Sequence, residues 1–270
     1  MKKGTSLQGY VPLRRDPAHA SEMVSQVLFG EQFRVLETRG DWHHISLDFD
    51  SYCGWVGTNA IHLFDAGDDE MTGPEDGYRM VTGPSVTLVE KGAKTSGKVI
   101  LPAGAVLPGT SGKIVKICGR EFELLSEDGI VIPGPHVDPE VIGMEWCSIP
   151  YLWGGRCGFG FDCSGLVQTL CRMTGIALPR DSRQQAEHGM TINFIHETRK
   201  GDLAFFENSE GEIAHVGMLM GGGMILHAYN SVRLDRFDQQ GIFHGEKKAY
   251  THKLRVVLSL IHISEPTRPY

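Results

Sequence analysis

Tyr151-Leu-Trp-Gly-Gly-Arg-Cys-Gly-Phe-Gly-Phe-Asp-Cys-Ser-Gly-Leu-Val-Gln168 is the stretch from which the rest of the chain can be read. A glycine-rich loop carrying Trp153, Phe159 and Phe161 leads into Asp162-Cys163-Ser164-Gly165. Leu166, Val167, Leu170 and Met173 then fall at i, i+1, i+4 and i+7 before Gly175, the spacing of an amphipathic helix closed by a glycine cap. Cys163 therefore lies at or within the first turn of a helix, where unpaired backbone N–H groups and the helix dipole favour an anion. A thiol so placed is expected to lose its proton more easily, and the thiolate is the nucleophile. A lone cysteine more often just begins a core helix. Here the partners a nucleophile needs occur downstream.

Those partners lie in Glu212-Ile-Ala-His-Val-Gly-Met-Leu-Met-Gly-Gly-Gly-Met-Ile-Leu-His-Ala-Tyr229. The apolar runs flanking Gly221-Gly222-Gly223 read as two short strands joined by a glycine turn. Folding the hairpin about residue 221 sets His215 opposite His227, within one residue of register, and opposed side chains on one face touch. One imidazole can then serve as general base toward Cys163, and the other can orient it and fix its tautomer.

These segments resemble the NlpC-type cell-wall cysteine peptidases, which have a papain-like catalytic core. The resemblance covers Tyr-x-Trp-Gly-Gly (151–155), Asp-Cys-Ser-Gly-Leu-Val-Gln (162–168), His-Val-Gly (215–217) and His-Ala (227–228), with Leu-Pro-Arg-Asp-Ser (178–182) and Lys-Gly-Asp-Leu-Ala-Phe-Phe (200–206) beside them. It implies Cys163 as nucleophile, His215 as base, His227 as the orienting residue, and Tyr151 as a hydroxyl beside the nucleophile that helps hold the oxyanion. It implies no cofactor and no required metal.

At 270 residues, two or three units are expected, and 41% hydrophobic with 22% charged residues is ordinary globular material. A net charge of −7 argues against a nucleic-acid or anionic-membrane binder, and no apolar run is long enough to span a membrane. Lys2 and Lys3 are not followed by an apolar segment, so the start does not read as a secretory signal. Cys53, Cys118, Cys147, Cys157, Cys163 and Cys171 are scattered without a Cys-x-x-Cys pair, which suits a reduced compartment better than a disulfide framework or zinc site. A cytoplasmic location is expected, with a periplasmic or secreted one the alternative should a signal precede this start. The remaining histidines, His19, His43, His44, His62, His136, His188, His196, His244 and His252, carry no motif and are expected at the surface or in local hydrogen bonds.

Residues 1–65 alternate in short runs: Val24–Phe29, Gln32–Glu37, Trp42–Leu47 and Cys53–Val56 read as strands, with Gly30, Gly40 and 48–51 as turns. This pattern, with Trp42 and Trp55, resembles a bacterial SH3-like barrel. An acidic, turn-rich linker is expected at 66–77. A second β unit at 78–136 (strands near 80–81, 86–89, 99–101, 114–117, 121–125 and 130–132) resembles a divergent SH3-like barrel. Residues 137–257 read as α+β: helices near 138–147 and 181–187 and an antiparallel sheet of 203–206, 214–220, 224–229 and 254–257. The fold class expected is thus two small SH3-like barrels followed by a papain-like catalytic domain. Residues 258–270 resemble a translated sequencing-library adaptor and are set aside from fold reasoning.

This order of units resembles the γ-D-glutamyl-L-diamino acid endopeptidases. That resemblance implies small murein peptides as partners, cut between γ-D-Glu and diaminopimelate or Lys when the N-terminal L-Ala carries a free amine. It also implies that the first unit closes one end of the cleft through Glu22 and Tyr52, while Asp162, Ser164 and Ser182 contact substrate. The physical sense is that a capped amine would strand polar partners, which costs more than a missing contact. A general wall hydrolase, an amidase or an acyltransferase on the same scaffold are the competing readings.

Overall fold

A computed structural model describes residues 2–65, 77–93 and 97–260. In the first unit, seven antiparallel strands form one sheet. From edge to edge they are Met23–Leu28, Tyr10–Arg14, Cys53–Gly57, Trp42–Leu47, Gln32–Arg39, Lys2–Thr5 and His62–Asp65. The alternating apolar residues do what period-two patterning dictates, burying Val11, Leu13, Val27, Phe33, Ile45, Leu47 and Val56. The expected 66–77 linker lies outside the described residues except for Gly77.

The second unit has a four-stranded sheet (Lys98–Pro102, Ser85–Glu90, Arg120–Leu124, Ile114–Ile117) and a three-stranded one (Val106–Pro108, Tyr78–Val81, Ile130–Val131). Its core of Val81, Leu88, Leu101, Leu107, Val115 and Phe122 also takes in Phe29 from the first unit. The two units touch closely there. Gly30 has φ +76°, and a Cβ on it would meet the Val106 carbonyl at 2.1 Å, so a side chain would force the units apart.

From residue 138 the chain builds helices against a sheet. Helix α1 (Pro139–Glu145) is capped by Asp138, whose carboxylate accepts from the Glu140 N–H at 2.9 Å. Helix α2 (Cys163–Met173) ends where expected, with Gly175 at φ +86° and the Ile176 N–H returning to the Cys171 carbonyl. Helix α3 is the short Ser182–Gln185. The sheet runs Met190–Ile192, Ala249–Ser259, Leu203–Glu207, Ile213–Gly221, Met224–Tyr229, Ser231–Asp238, Gly241–His244, and the last strand also pairs with Ala249–Ser259, so the sheet curls onto itself. Leu166, Val167, Leu170 and Met173 pack with Leu203, Phe205, Val216 and Leu226 on one face. Each such buried side chain stabilises by about 1.5–3 kcal/mol. Among the described residues no helix is long and apolar enough to cross a membrane.

Three expectations change. Helix α2 is not half-solvated: every residue in it except Arg172 is buried, because the first unit covers what would have been its polar face. The sheet gains strands at 190–192, 231–238 and 241–244, the second of them too rich in charge to read as a buried strand. The last strand also passes the expected limit of 257, with Leu258 paired to Leu203 and Leu258 and Leu260 buried; the rest of the supposed adaptor tail, 261–270, lies outside the described residues.

A buried ionic joint holds the first unit to the catalytic one. Arg156, 2% exposed, donates to the Gln26 carbonyl through Nε (2.9 Å) and Nη2 (2.6 Å) and to Glu31 Oε1 at 3.0 Å. Arg172 of α2 pairs with the same carboxylate. Burial alone would push the Glu31 carboxyl up, but the two guanidiniums outweigh it and hold it below its ordinary value.

Candidate active site

Asp162 shapes the start of α2. Its Oδ1 accepts from the Gly165 N–H at 2.7 Å, the N-cap bond, while its Oδ2 accepts from the Gly154 N–H at 2.9 Å. Gly165 is required here because a Cβ on it would meet the Gly155 carbonyl at 2.2 Å. Arg180, fully buried, clasps the same carboxylate with Nη1 (3.0 Å) and Nη2 (2.6 Å) and donates to Ser164 Oγ at 2.9 Å. Ser164 Oγ in turn donates to Asp162 Oδ1 at 3.2 Å. Asp162 and Ser164 are therefore largely satisfied by the protein itself.

Cys163 is 8% exposed at the head of the helix. The expectation of an acidified thiol does not hold in this state. Burial pushes it up to about 12 and the Asp162 charge adds to that, against backbone N–H groups of Val216 and Ser164 and the Arg180 charge. His215 is driven the other way: burial, then His252 and His227, hold its imidazole well below its ordinary value. Both shifts oppose charge separation between the thiol and the imidazole in the empty cleft.

Behind His215 runs a chain of polar groups. His215 Nε2 lies 2.9 Å from His227 Nδ1, and His227 Nε2 lies 3.1 Å from Asp235 Oδ2. Arg233 holds Asp235 through Nε (2.6 Å) and Nη2 (3.0 Å). Burial would raise the Asp235 carboxyl, but its bonds from His227 and Arg233 keep it far below the carboxylate range. An ionised Asp235 accepts, so the His227 proton sits on Nε2 and its bare Nδ1 accepts N–H from His215 Nε2. That leaves a lone pair on His215 Nδ1. The chain thus fixes one tautomer from Asp235 outward.

The histidines meet by a different register from the one expected. His227 pairs with Gly217, not His215, because the hairpin turns at Gly222-Gly223, with Gly221 opposite Met224, rather than about residue 221; a one-residue bulge at Met220 offsets only part of that shift. His215 is the diagonal neighbour two residues on, close enough for long side chains to bond. Two of the unassigned histidines are also not surface groups: His244 is 2% exposed, and His252 stacks on His215 with centroids 4.1 Å apart.

One cleft of about 930 Å³ collects eight of the nine expected residues: Cys163, His215, Tyr151, Asp162, Ser164, Ser182, Glu22 and Tyr52. The ninth, His227, is fully buried behind His215. Burial, and then neighbouring Cys163, push the Tyr151 phenol up, so it stays a hydrogen-bond donor. Glu22 and Tyr52 come from the first unit. Glu22 Oε1 accepts from Trp153 Nε1 at 2.7 Å, and its Oε2 pairs with Arg15 at 2.7 Å. The Tyr52 hydroxyl donates to Asp181 Oδ1 at 3.3 Å; burial, and then Asp181, push it up to about 12. Gly154, at φ +74°, lets the loop touch the first unit: a Cβ there would meet the Met23 carbonyl at 2.3 Å.

Arg180, Asp181 and Asp235 were not singled out from the sequence. The first two sit inside the Leu-Pro-Arg-Asp-Ser segment, whose pattern was a usable signal. Asp235 gave none, since Arg233, Asp235, Arg236 and Asp238 read as a solvated run.

Residues 148–252 match the NlpC/P60 family, and residues 13–61 match the bacterial dipeptidyl-peptidase SH3 domain. The chain is 32% identical over 221 residues to a γ-D-glutamyl-L-lysine dipeptidyl-peptidase of Bacillus subtilis, spanning 76% of this chain and 71% of the relative. A protein of the same name from Bacillus cereus is 28% identical over 236 residues, 80% of this chain and 70% of that one. A crystal structure of an NlpC/P60 family protein from Bacillus cereus superposes with a TM-score of 0.81 at 21% identity, over 96% of this chain and 99% of the other, which speaks to the fold. With an SH3-like domain at its N-terminus, a helix-borne cysteine and paired histidines downstream, the chain belongs to the NlpC/P60 family.

Proposed function

We propose that this protein is a cysteine endopeptidase that hydrolyses the bond between γ-D-Glu and diaminopimelate or L-Lys in murein peptides with a free N-terminal L-Ala, and that it serves cell-wall peptide recycling in the cytoplasm. On this reading the second β unit is also SH3-like and the catalytic α+β unit is papain-like. The observation that carries the proposal is the shared cleft, where Cys163 and His215 stand on one wall and Glu22 and Tyr52 of the first unit on the other.

His215 takes the Cys163 proton on its bare Nδ1 as sulfur attacks the γ-carbonyl carbon of D-Glu. Because burial disfavours both thiolate and imidazolium, attack and proton transfer go together. The developing oxyanion is held by the Tyr151 hydroxyl and backbone N–H groups at the start of α2. Collapse breaks the C–N bond, and His215 gives its proton to the departing amine. A water deprotonated by His215 then releases the acyl group and restores the thiol. His227 and Asp235 hold His215 in its productive tautomer throughout.

The substrate ammonium fits between Glu22, Tyr52 and Asp181, two carboxylates and a phenol oxygen at the end of the cleft made by the first unit. Ser182, at the first turn of α3 on the same rim, contacts the substrate beside them. The test is cleavage of L-Ala-γ-D-Glu-L-Lys and its diaminopimelate counterpart, each with a free and an acetylated N-terminus. Fast release of L-Ala-γ-D-Glu from the free peptides is expected, with the acetylated ones cut far more slowly. Equal cleavage of the acetylated peptides would remove the amine requirement and favour a general wall hydrolase.

A further inference from the structure

We propose that His215, His227 and His252 together form a binding site for a divalent transition metal such as Zn²⁺, and that its occupancy switches the peptidase off. One ring nitrogen of each lies within 4.8 Å of those of the other two. His252 comes from the last strand, opposite Ile242. Its ring stacks on His215 at 25° and meets His227 edge-on, with centroids 5.5 Å apart. Thr251 Oγ1 lies 2.9 Å from its Nδ1, which leaves the opposite nitrogen as the ligand atom.

Three imidazoles with an open fourth position suit zinc, and imidazole is a good ligand for copper and nickel as well. A tetrahedral metal about 2.0–2.1 Å from each nitrogen needs those nitrogens roughly 3.4 Å apart. His215 and His227 must open a little from 2.9 Å, and His252 must leave its stack on His215 and turn its ring edge to the metal, because stacked rings hold their in-plane lone pairs nearly parallel. His252 has the freedom to do so, being only partly buried at the edge of a second cleft that it shares with Gln239, Gln240 and Tyr250. That cleft shares no lining residue with the one that holds Cys163. Asp235 on His227 Nε2 is the carboxylate that a metal-bound histidine usually carries on its other nitrogen, and it keeps Nδ1 pointed at the metal.

The consequence for catalysis follows from proton bookkeeping and rests on the role proposed above for His215. The metal takes the place of the hydrogen shared by His215 Nε2 and His227 Nδ1. That proton moves to His215 Nδ1, so none is released, and the one lone pair that could accept from Cys163 is gone. A neutral imidazole has a single lone pair, and the metal holds it.

The full-length protein is titrated with Co²⁺ as a spectroscopic probe and with Zn²⁺, in wild type, Cys163→Ala and His252→Phe, the last keeping the stack on His215 but removing the ligand nitrogen. One equivalent of Co²⁺ bound with tetrahedral visible bands is expected in wild type and in Cys163→Ala alike. In His252→Phe, at an unchanged melting temperature without metal, affinity should fall by roughly 100-fold or more. Loss of binding in Cys163→Ala, equal affinity in His252→Phe, or no binding at all would overturn the site. Peptide cleavage by wild type should decline with Zn²⁺ along the binding curve and return with a chelator; full cleavage with the site occupied would overturn the switch. Because binding is read without substrate, a failed peptidase assignment leaves the metal result standing on its own.

Discussion

One wall of the cleft is buried and fixed, while the other is partly exposed and comes from a different folding unit. On the first, Cys163, His215, His227 and Asp235 are each at most 8% exposed, and every link behind His215 is a direct bond. On the second, the Glu22 side chain is 31% exposed and its Arg15 partner 64% exposed. The difference divides labour. Bond-making needs lone pairs and protons held in one arrangement, which burial and a hydrogen-bonded chain provide. Selecting an ammonium needs carboxylates that can meet water when the cleft is empty, because a buried unpaired charge is costly.

The largest expected effect is on the first wall. Cys163→Ala should cut turnover by on the order of 10⁶-fold with the melting temperature nearly unchanged. Retained turnover measured on the free-amine peptide would reassign the nucleophile.

The joint that sets the two walls facing each other comes next. Glu31→Ala leaves Arg156 buried without its carboxylate, and removing one partner of such a pair costs about 3–5 kcal/mol. The pH dependence has a definite sign. A carboxyl held below its ordinary 4.5 stabilises the fold fully above that value and loses the contribution as pH falls through its lowered one. Thermal melts from neutral pH to about pH 3 should therefore show the wild type losing its advantage over Glu31→Gln on acidification. Parallel curves would show that folding leaves the Glu31 carboxyl unshifted, and a wild type that gains on acidification would show it held neutral in the fold.

Asp235→Asn tests whether the fixed wall is fixed by its chain. The amide no longer selects the His227 tautomer, so kcat should drop about 10- to 100-fold with little change in KM. A change in KM alone would make Asp235 part of the binding surface instead. This residue also marks the limit of what the sequence could tell. Cys163, His215, His227 and Tyr151 sit in short local patterns whose spacing survives folding, so they were legible. Asp235 becomes buried only because Arg233 neutralises it beside His227, a tertiary event that a strand with four charges does not announce. The hairpin register failed for a related reason: which of the three consecutive glycines make the turn, and the partly compensating bulge at Met220, are settled only when the sheet closes. The two walls differ in legibility too: Glu22 and Tyr52 were placed through resemblance, whereas their bonds to Trp153 and Asp181 depend on how separate units dock.

On the exposed wall, Glu22→Gln should raise KM for the free-amine peptide about 10- to 100-fold, the loss of a charge-assisted bond of about 1.5–3 kcal/mol, and leave the slow cleavage of the acetylated peptide unaltered. Equal effects on both peptides would mean that Glu22 works by holding Trp153 in place.

Arg15 separates those two roles at the smallest scale. Its guanidinium occupies Glu22 Oε2, the oxygen that an incoming ammonium would use on the proposed reading, so on that reading the empty cleft carries an internal stand-in for its ligand. An exposed pair of this kind contributes about 0–1 kcal/mol, and binding the substrate amine requires giving it up. Arg15→Ala should therefore lower KM for the free-amine peptide by up to about fivefold, without touching kcat. If KM rises instead, Arg15 is orienting the carboxylate rather than competing for it, and the amine binds beside the guanidinium on Tyr52 and Asp181. Steady-state kinetics on the Arg15→Ala, Glu22→Gln double variant check that either role runs through Glu22. Both a competitor for the carboxylate and an orienter of it lose their effect once the carboxylate is gone, so the double variant should match Glu22→Gln, and a KM change that persists would mean that Arg15 acts on the ammonium directly.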